Sequence, residues 1–298
     1  MFLRPNPNAQ PVRLAVAALA LGAFYWGLYR MPVPGAKTGL DPEKSRELQD
    51  EAAVMRRYGK WARALPPTMK LHNAYPESHI YIGQLAEIYD HLGKFREEAA
   101  MWEQFLLHAP RPIEGCPQIG EAYEKQGLAK EAITAFEKCL AIEPESSDQI
   151  FYLARALERD GQTDRAAELY ARGAAANPTY SDLAIGLARM RLRQGKPDEA
   201  RRLAAGALVE SPNNADALLV LGLACVRKGD RAAARNYLER GVRVADGYAD
   251  LHLALANLDE QDANLSQAIE HYQKAVALDK SNLQAAQRLD LLRRAARE

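Results

Sequence analysis

Residues 147–180 read SDQIFYLARALERDGQTDRAAELYARGAAANPTY. The stretch divides at Gly161 into two helix-length halves, and Pro178 closes the second. Glycine tolerates the positive φ that ends a helix, and proline cannot continue the hydrogen-bond ladder. Ala154 in the first half and Ala166 in the second are small enough to let two antiparallel helices approach. Leu153 fills the space between them, and Tyr170 reaches towards a neighbouring hairpin.

The same spacing recurs outward in both directions. From Ser45 the pattern returns every 34 residues without insertion, at His79, Ile113, Ser147, Ser181, Ala215 and Ala249. The fifteenth place is Gly59, Gly93, Gly127, Gly161, Gly195 and Gly229, then Ala263. The eighth is always small: Ala52, Ala86, Gly120, Ala154, Ala188, Gly222 and Ala256. The twentieth is Ala64, Glu98, Ala132, Ala166, Ala200, Ala234 and Ala268. The thirty-second is Pro76, Pro110, Pro144, Pro178 and Pro212, then Asp246 and Lys280. One hairpin cannot bury its own apolar face, so such units must stack.

In period and residue choice this pattern resembles the tetratricopeptide repeat over residues 45–282. The resemblance implies an all-α fold, a right-handed superhelical solenoid of about seven helix-turn-helix repeats. These are 45–78, 79–112, 113–146, 147–180, 181–214, 215–248 and 249–282. It also implies that the first helix of each pair lines a concave groove. Leu283, Ala286, Leu289, Leu292 and Ala296 follow at helical spacing, which predicts a capping helix over 283–298 with Arg288, Arg293, Arg294 and Arg297 in water. Three departures stand out. Pro66-Pro67 within the second helix of the first repeat predicts distortion there, Gly115 and Pro117 should shorten the first helix of the third, and the seventh lacks its glycine and proline.

The first forty residues differ. No acidic residue precedes Asp41, and LAVAALALGAFYWGLY, residues 14–29, carries no charge between Arg13 and Arg30. Sixteen helical residues span roughly 24 Å, which the flanking residues can extend to a bilayer core. Phe24, Tyr25, Trp26 and Tyr29 crowd one end as an interfacial aromatic belt would. The sequence thus predicts an N-terminal tail over 1–12, a transmembrane signal anchor over 13–31 and a linker over 32–44. A cleaved signal peptide competes with this reading, but a cut after Ala36 would put Pro34 at the minus-three place. Arg4, Arg13 and the amino terminus precede the span, against Arg30 and Lys37 after it. The balance favours the N-terminus inside, with the repeats extracytoplasmic on a bacterial inner membrane.

Composition narrows the function. Thirty-nine basic and 39 acidic residues cancel, so no basic excess points to nucleic acid. Cys116, Cys139 and Cys225 form no CxxC pair, and read as small buried hydrophobes unless an oxidising compartment joins the first two. The six histidines form no HExxH, and there is no Walker loop and no GxSxG elbow. The reading is a non-enzyme without cofactor, metal site or small-molecule substrate, whose partner is a protein or peptide.

The fifth and ninth places are expected to face the groove. There Phe151, Arg155, Ile185, Arg189, Leu219, Leu223 and Leu253 would form an apolar ladder flanked by arginines, suited to a segment with apolar anchors and some acidic groups. Asp148, Asp182, Asp216 and Asp250 recur at the second place and read as stabilisers of helix N-termini. Some tetratricopeptide proteins clamp a chaperone tail's carboxylate with lysine and asparagine; Gln49 and Ala53 at the matching places argue against that here. The expected role is a membrane-anchored scaffold or assembly factor. A fixed accessory subunit of a larger membrane complex is the alternative.

Overall fold

The computed structural model describes residues 40–296. The N-terminal tail, the transmembrane span and most of the linker lie outside those residues. Among the described residues there are fifteen α-helices and no strand, and none of the helices is long and apolar enough to cross a membrane. The chain divides into two compact units at Pro110–Arg111.

The first unit holds two hairpins, α1 (Pro42–Arg57) with α2 (Trp61–Ala74) and α3 (His79–His91) with α4 (Phe95–His108). Leu48, Leu71 and Tyr81 form its buried centre. Ser45 Oγ lies 3.1 Å from Tyr75 Oη, and Arg56 reaches Glu87 at 2.9 Å. Trp61 stacks on His91 with ring centroids 3.7 Å apart. The distortion expected at Pro66-Pro67 is absent as a break: α2 runs unbroken through both prolines. Buried Thr68, at the place that Tyr170 holds in the fourth repeat, turns its hydroxyl back to donate to the Ala64 carbonyl at 2.8 Å.

The second unit begins with a 3₁₀ turn, Pro112–Gly115, and a short α5 (Cys116–Lys125), paired with α6 (Ala129–Ile142). Four full hairpins follow: α7 (Ser147–Arg159) with α8 (Thr163–Ala176), α9 (Ser181–Arg193) with α10 (Pro197–Glu210), α11 (Ala215–Lys228) with α12 (Arg231–Val244), and α13 (Ala249–Gln261) with α14 (Leu265–Leu278). The shortening of α5 follows from Gly115, which offers no side chain to hold a helix, and from Pro117, fixed in its first turn.

Gly59, Gly93, Gly127, Gly161, Gly195 and Gly229 all take positive φ, from 66° to 80°, directly after the first helix of their hairpins. Ala263, at the same place in the last repeat, accepts φ 60° and its strain. The small eighth place is a contact point: a methyl added to Gly120 would sit 1.8 Å from the Phe136 ring, and one on Gly222 would sit 2.5 Å from Leu238. Tyr170 is buried, as are Phe136 and Tyr272, which hold the same place in their own repeats.

The last helix, α15 (Leu283–Ala295), packs on the final hairpin through Ala285, Leu289 and Leu292. Leu283 and Ala296, expected on its buried stripe, are exposed, because the covering face is set by Ala285 one residue pair further on. Arg288 is not left to water either; it meets the Glu260 carboxylate. Cys116 and Cys139, read as small buried hydrophobes that an oxidising compartment could join, are joined by a disulfide with Cα atoms 5.9 Å apart, which staples the shortened α5 to α6.

Candidate functional site: the first-helix face of the second unit

Helices α7, α9, α11 and α13 succeed one another along one face of the second unit, with the paired helices behind them. On this face the seven expected groove residues separate into three groups. Ile185 and Leu219 are 1% and 6% exposed, so the continuous apolar ladder fails at its middle rungs. Ile185 packs with Ala217, Val220 and Leu221 of the next repeat, and Leu219 with Leu251 and Leu255, where burial outweighs display. Phe151, Leu223 and Leu253 remain accessible, with Leu223 37% exposed.

The arginines form the third group. Arg189 was read as a free cation beside the ladder. It spans to the previous repeat instead, where its Nε and Nη2 donate to the two oxygens of Glu158, each at 2.9 Å. Arg193 lies 3.4 Å from the same carboxylate, and the Tyr170 hydroxyl donates to it at 3.0 Å. Burial opposes the charge of Arg189, but the hydrogen bond and attraction to Glu158 outweigh it and raise its pKa. Burial, with Glu158 adjoining, also pushes the Tyr170 phenol up. The cluster is an inter-repeat tie whose charges are spent on each other.

Arg155 differs. Its guanidinium stands 5.6 Å from the Phe151 ring centre and 5.7 Å from that of Tyr152. Its buried Nε has no hydrogen-bond partner among the described residues. Phe151 in turn meets Tyr152, Tyr170 and Tyr180 edge-on or tilted, with ring centres 5.9–6.4 Å apart. Burial, then Asp148, raises the Tyr152 pKa, while Arg155 works against that.

The second-place aspartates lie in the first turns of their helices, but two of them also bond to tyrosines. Tyr180 donates to Asp148 at 2.9 Å and Tyr248 to Asp216 at 2.6 Å. Burial, then the hydrogen bond to the aspartate, raises both phenol pKa values. The intervening repeat ends carry Asn214 and Asn282, which cap the following helices by accepting from Ala217 N and Ala285 N at 3.0 Å.

A second polar cluster lies in the last repeat. Buried His252 Nδ1 is 3.1 Å from His271 Nδ1, and its Nε2 is 2.9 Å from the Asp246 carbonyl oxygen. Buried Asp259 meets Arg235 at 2.7 Å and His271 at 3.9 Å. No group of three or more His, Cys, Asp or Glu among the described residues is arranged to hold a metal ion.

Neither cluster was found from the sequence, although the Glu158 cluster and the tyrosine ties left traces. Glu158 is an acid at the twelfth place with arginines at the ninth and thirteenth places of the next repeat. Tyr180 and Tyr248 stand two repeats apart at the same place, each 32 residues after an aspartate.

Known proteins are similar in fold. A tetratricopeptide repeat family model matches residues 191–258, and one described as anaphase-promoting complex, cyclosome, subunit 3 matches residues 125–207. No curated protein is significantly similar in sequence. A tetratricopeptide repeat protein from Parabacteroides merdae superposes with TM-score 0.71 and 16% identity, covering 84% of this chain and 99% of that one. The thermophilic repeat protein TTC0263 of Thermus thermophilus gives TM-score 0.54 and 23% identity, covering 60% of this chain and 98% of its own. The APC/C hetero-tetramer Cut9-Hcn1 gives 0.61 and 16%, covering 84% and 56%. Residues 191–258 match the tetratricopeptide repeat family model, and over most of its length the chain shares the fold of a tetratricopeptide repeat protein.

Proposed function

We propose that this chain is a membrane-anchored scaffold or assembly factor that holds a segment of a partner protein on the first-helix face of its second unit, and that it is not an enzyme. The observation that carries the reading is the combination of exposed Leu223 with partly exposed Phe151, Arg155 and Leu253 on one face of the repeat array. Partly exposed apolar side chains flanked by a cation suit a protein-binding surface. The apolar span over residues 14–29 supplies the anchor, with the N-terminus inside and the repeats outside the cytoplasm. The Cys116–Cys139 disulfide supports that side of the membrane, because such bonds persist in oxidising compartments.

The test is substitution of Leu223→Asp with Leu253→Asp in the full chain. Loss of partner capture from intact membranes, with unchanged helicity, is the expected result; unchanged capture rejects the site. Leu219 is unsuitable, since an aspartate in that buried place would unfold the repeat. The alternative, a fixed accessory subunit, draws on Ile142, Val244 and Leu278, which recur at the thirtieth place and stay 42–46% exposed on the second helices. Stoichiometric copurification that survives the Leu223 and Leu253 changes would favour it.

A further inference from the structure

On α7, α9 and α11 the ninth, twelfth and thirteenth places read Arg155, Glu158, Arg159; Arg189, Leu192, Arg193; and Leu223, Val226, Arg227. Five arginines face one glutamate there, in a chain whose total charge is zero. Glu158 is occupied by Arg189 and Arg193, and Arg159 is matched by Glu124 of α5. The series then breaks. The place that holds Glu124 and Glu158 in earlier repeats holds buried Leu192 before Arg227, so among the described residues no carboxylate meets that arginine. Arg227 is exposed and Arg155 keeps an unpartnered Nε over two aromatic rings.

Helix dipoles explain part of this polarity. They favour Asp148, Asp182 and Asp216 in the first turns and Arg159, Arg193 and Arg227 in the last. They do not explain Arg155 and Arg189, which lie in the middle of their helices. Arg189 bonds to a carboxylate, whereas Arg155 stands over the Phe151 and Tyr152 rings with its Nε unpartnered among the described residues.

We propose that Arg155 and Arg227 mark an acceptor track for an acidic, extended stretch of a partner protein, whose side-chain carboxylates meet the two arginines while an apolar residue covers Leu223. This rests on the first-helix face being the binding face. Charge complementarity selects the occupant: a planar guanidinium fork takes a carboxylate through two parallel hydrogen bonds, and the ring faces of Phe151 and Tyr152 hold the Arg155 fork in place. The recognised groups are side chains along a segment, so no free chain terminus is required.

The test uses the full chain in detergent and two dye-labelled 14-residue peptides, both amidated at the C-terminus. One alternates glutamate with leucine and alanine; the other has lysine for glutamate. The acidic peptide should bind, more weakly as salt rises, and the lysine peptide should not. Arg155→Gln with Arg227→Gln should weaken binding at least tenfold. Arg201→Gln with Arg202→Gln removes the same charge from exposed places on α10 and should change it less than twofold. Arg155→Lys, which keeps the charge but not the fork, should fall between. Equal weakening by the two double variants would reduce the effect to net charge and overturn the proposal, as would failure of the acidic peptide to bind. Partner capture lost in Leu223→Asp yet intact in the Arg155/Arg227 variant would leave the binding face standing and remove the acidic segment.

Discussion

Two places in the second unit bury a carboxylate against a neighbouring repeat, and they balance it differently. Between the fourth and fifth repeats Glu158 lies under Arg189, Arg193 and the Tyr170 hydroxyl. Between the sixth and seventh repeats Asp259 lies under Arg235, with His271 and His252 behind it. The first tie closes on guanidinium forks, the second on imidazoles as well. The second joint therefore contains a group, His271, whose proton affinity burial lowers. The repeat pattern is blind to the difference, because neither the eleventh nor the twelfth place is constrained by hairpin packing.

The sharpest way to break the comparison is to empty the first joint. Glu158→Ala leaves Arg189 and Tyr170 with no acceptor in a half-buried site, so the second unit should lose about 3 kcal/mol. Repeat arrays unfold as coupled neighbours, so the loss should appear as a lower urea midpoint for that unit. The tryptophans provide a separate readout. Trp61 and Trp102 lie in the first unit and the second has none, so far-UV dichroism should shift while the emission of those two should not. A midpoint unchanged in both signals would show the tie to be idle.

Acid should act on the second joint through His271. Burial lowers the His271 pKa; Asp259 works against that, and His252 adds to it. Asp246 faces His252, Arg235 faces Asp259, and Glu270 and Lys274 act on His271 with opposite signs from its own helix. A free imidazole takes its proton near the ordinary value of 6.5, whereas the folded one resists. Below that value the unfolded chain therefore binds more protons, and stability falls with falling pH, by at most about 1.4 kcal/mol per pH unit per proton. A proton on each Nδ1 would also set two donors head-on across 3.1 Å. His271→Gln should flatten the slope of the second unit between pH 6.5 and 5. His72, lowered by burial and then by His108, gives the first unit a slope of the same sign, which His271→Gln leaves in place. A second unit whose stability is level over that window would remove the distinction between the joints.

How much of this was legible beforehand follows from what the repeat constrains. Gly161, Ala154, Ala166 and Pro178 act through backbone geometry and close approach, and these requirements return identically in every hairpin. Periodicity therefore exposes them, and the helices fall where the glycines and prolines place them. The binding face depends on side chains that the pattern leaves free. Ile185 and Leu219 occupy the same place as Phe151, yet they sink into the next repeat while Phe151 stays at the surface among tyrosine rings. Their burial is decided by the partner across the joint, which is a residue tens of positions away. Arg189 looked free for the same reason: its acceptor lies 31 residues earlier. Pro66-Pro67 shows the converse, a departure from the repeat that predicts distortion although the helix runs unbroken through it.

The smallest effect belongs to the tyrosine ties that both joints share. Tyr180 and Tyr248 each donate to the aspartate at the start of their own repeat, but the first bond is exposed and the second half-buried. Water replaces the lost partner readily at an exposed site, whereas a half-buried carboxylate keeps more of the cost of losing its donor. Tyr248→Phe should therefore destabilise the second unit by about 1 kcal/mol, and Tyr180→Phe by only about a few tenths of that. The tie was open to recognition in the alternation of Tyr180, Asn214, Tyr248 and Asn282, because asparagine at that place caps the next helix and tyrosine cannot. Tyr248→Asn exchanges one device for the other at the same place. If the new asparagine caps α13 as Asn214 caps α11, it recovers most of the loss seen in Tyr248→Phe, and the two repeat ends are alternative solutions to one problem. If it recovers nothing, the tyrosine is held for its packing, and the alternation carries no energetic equivalence.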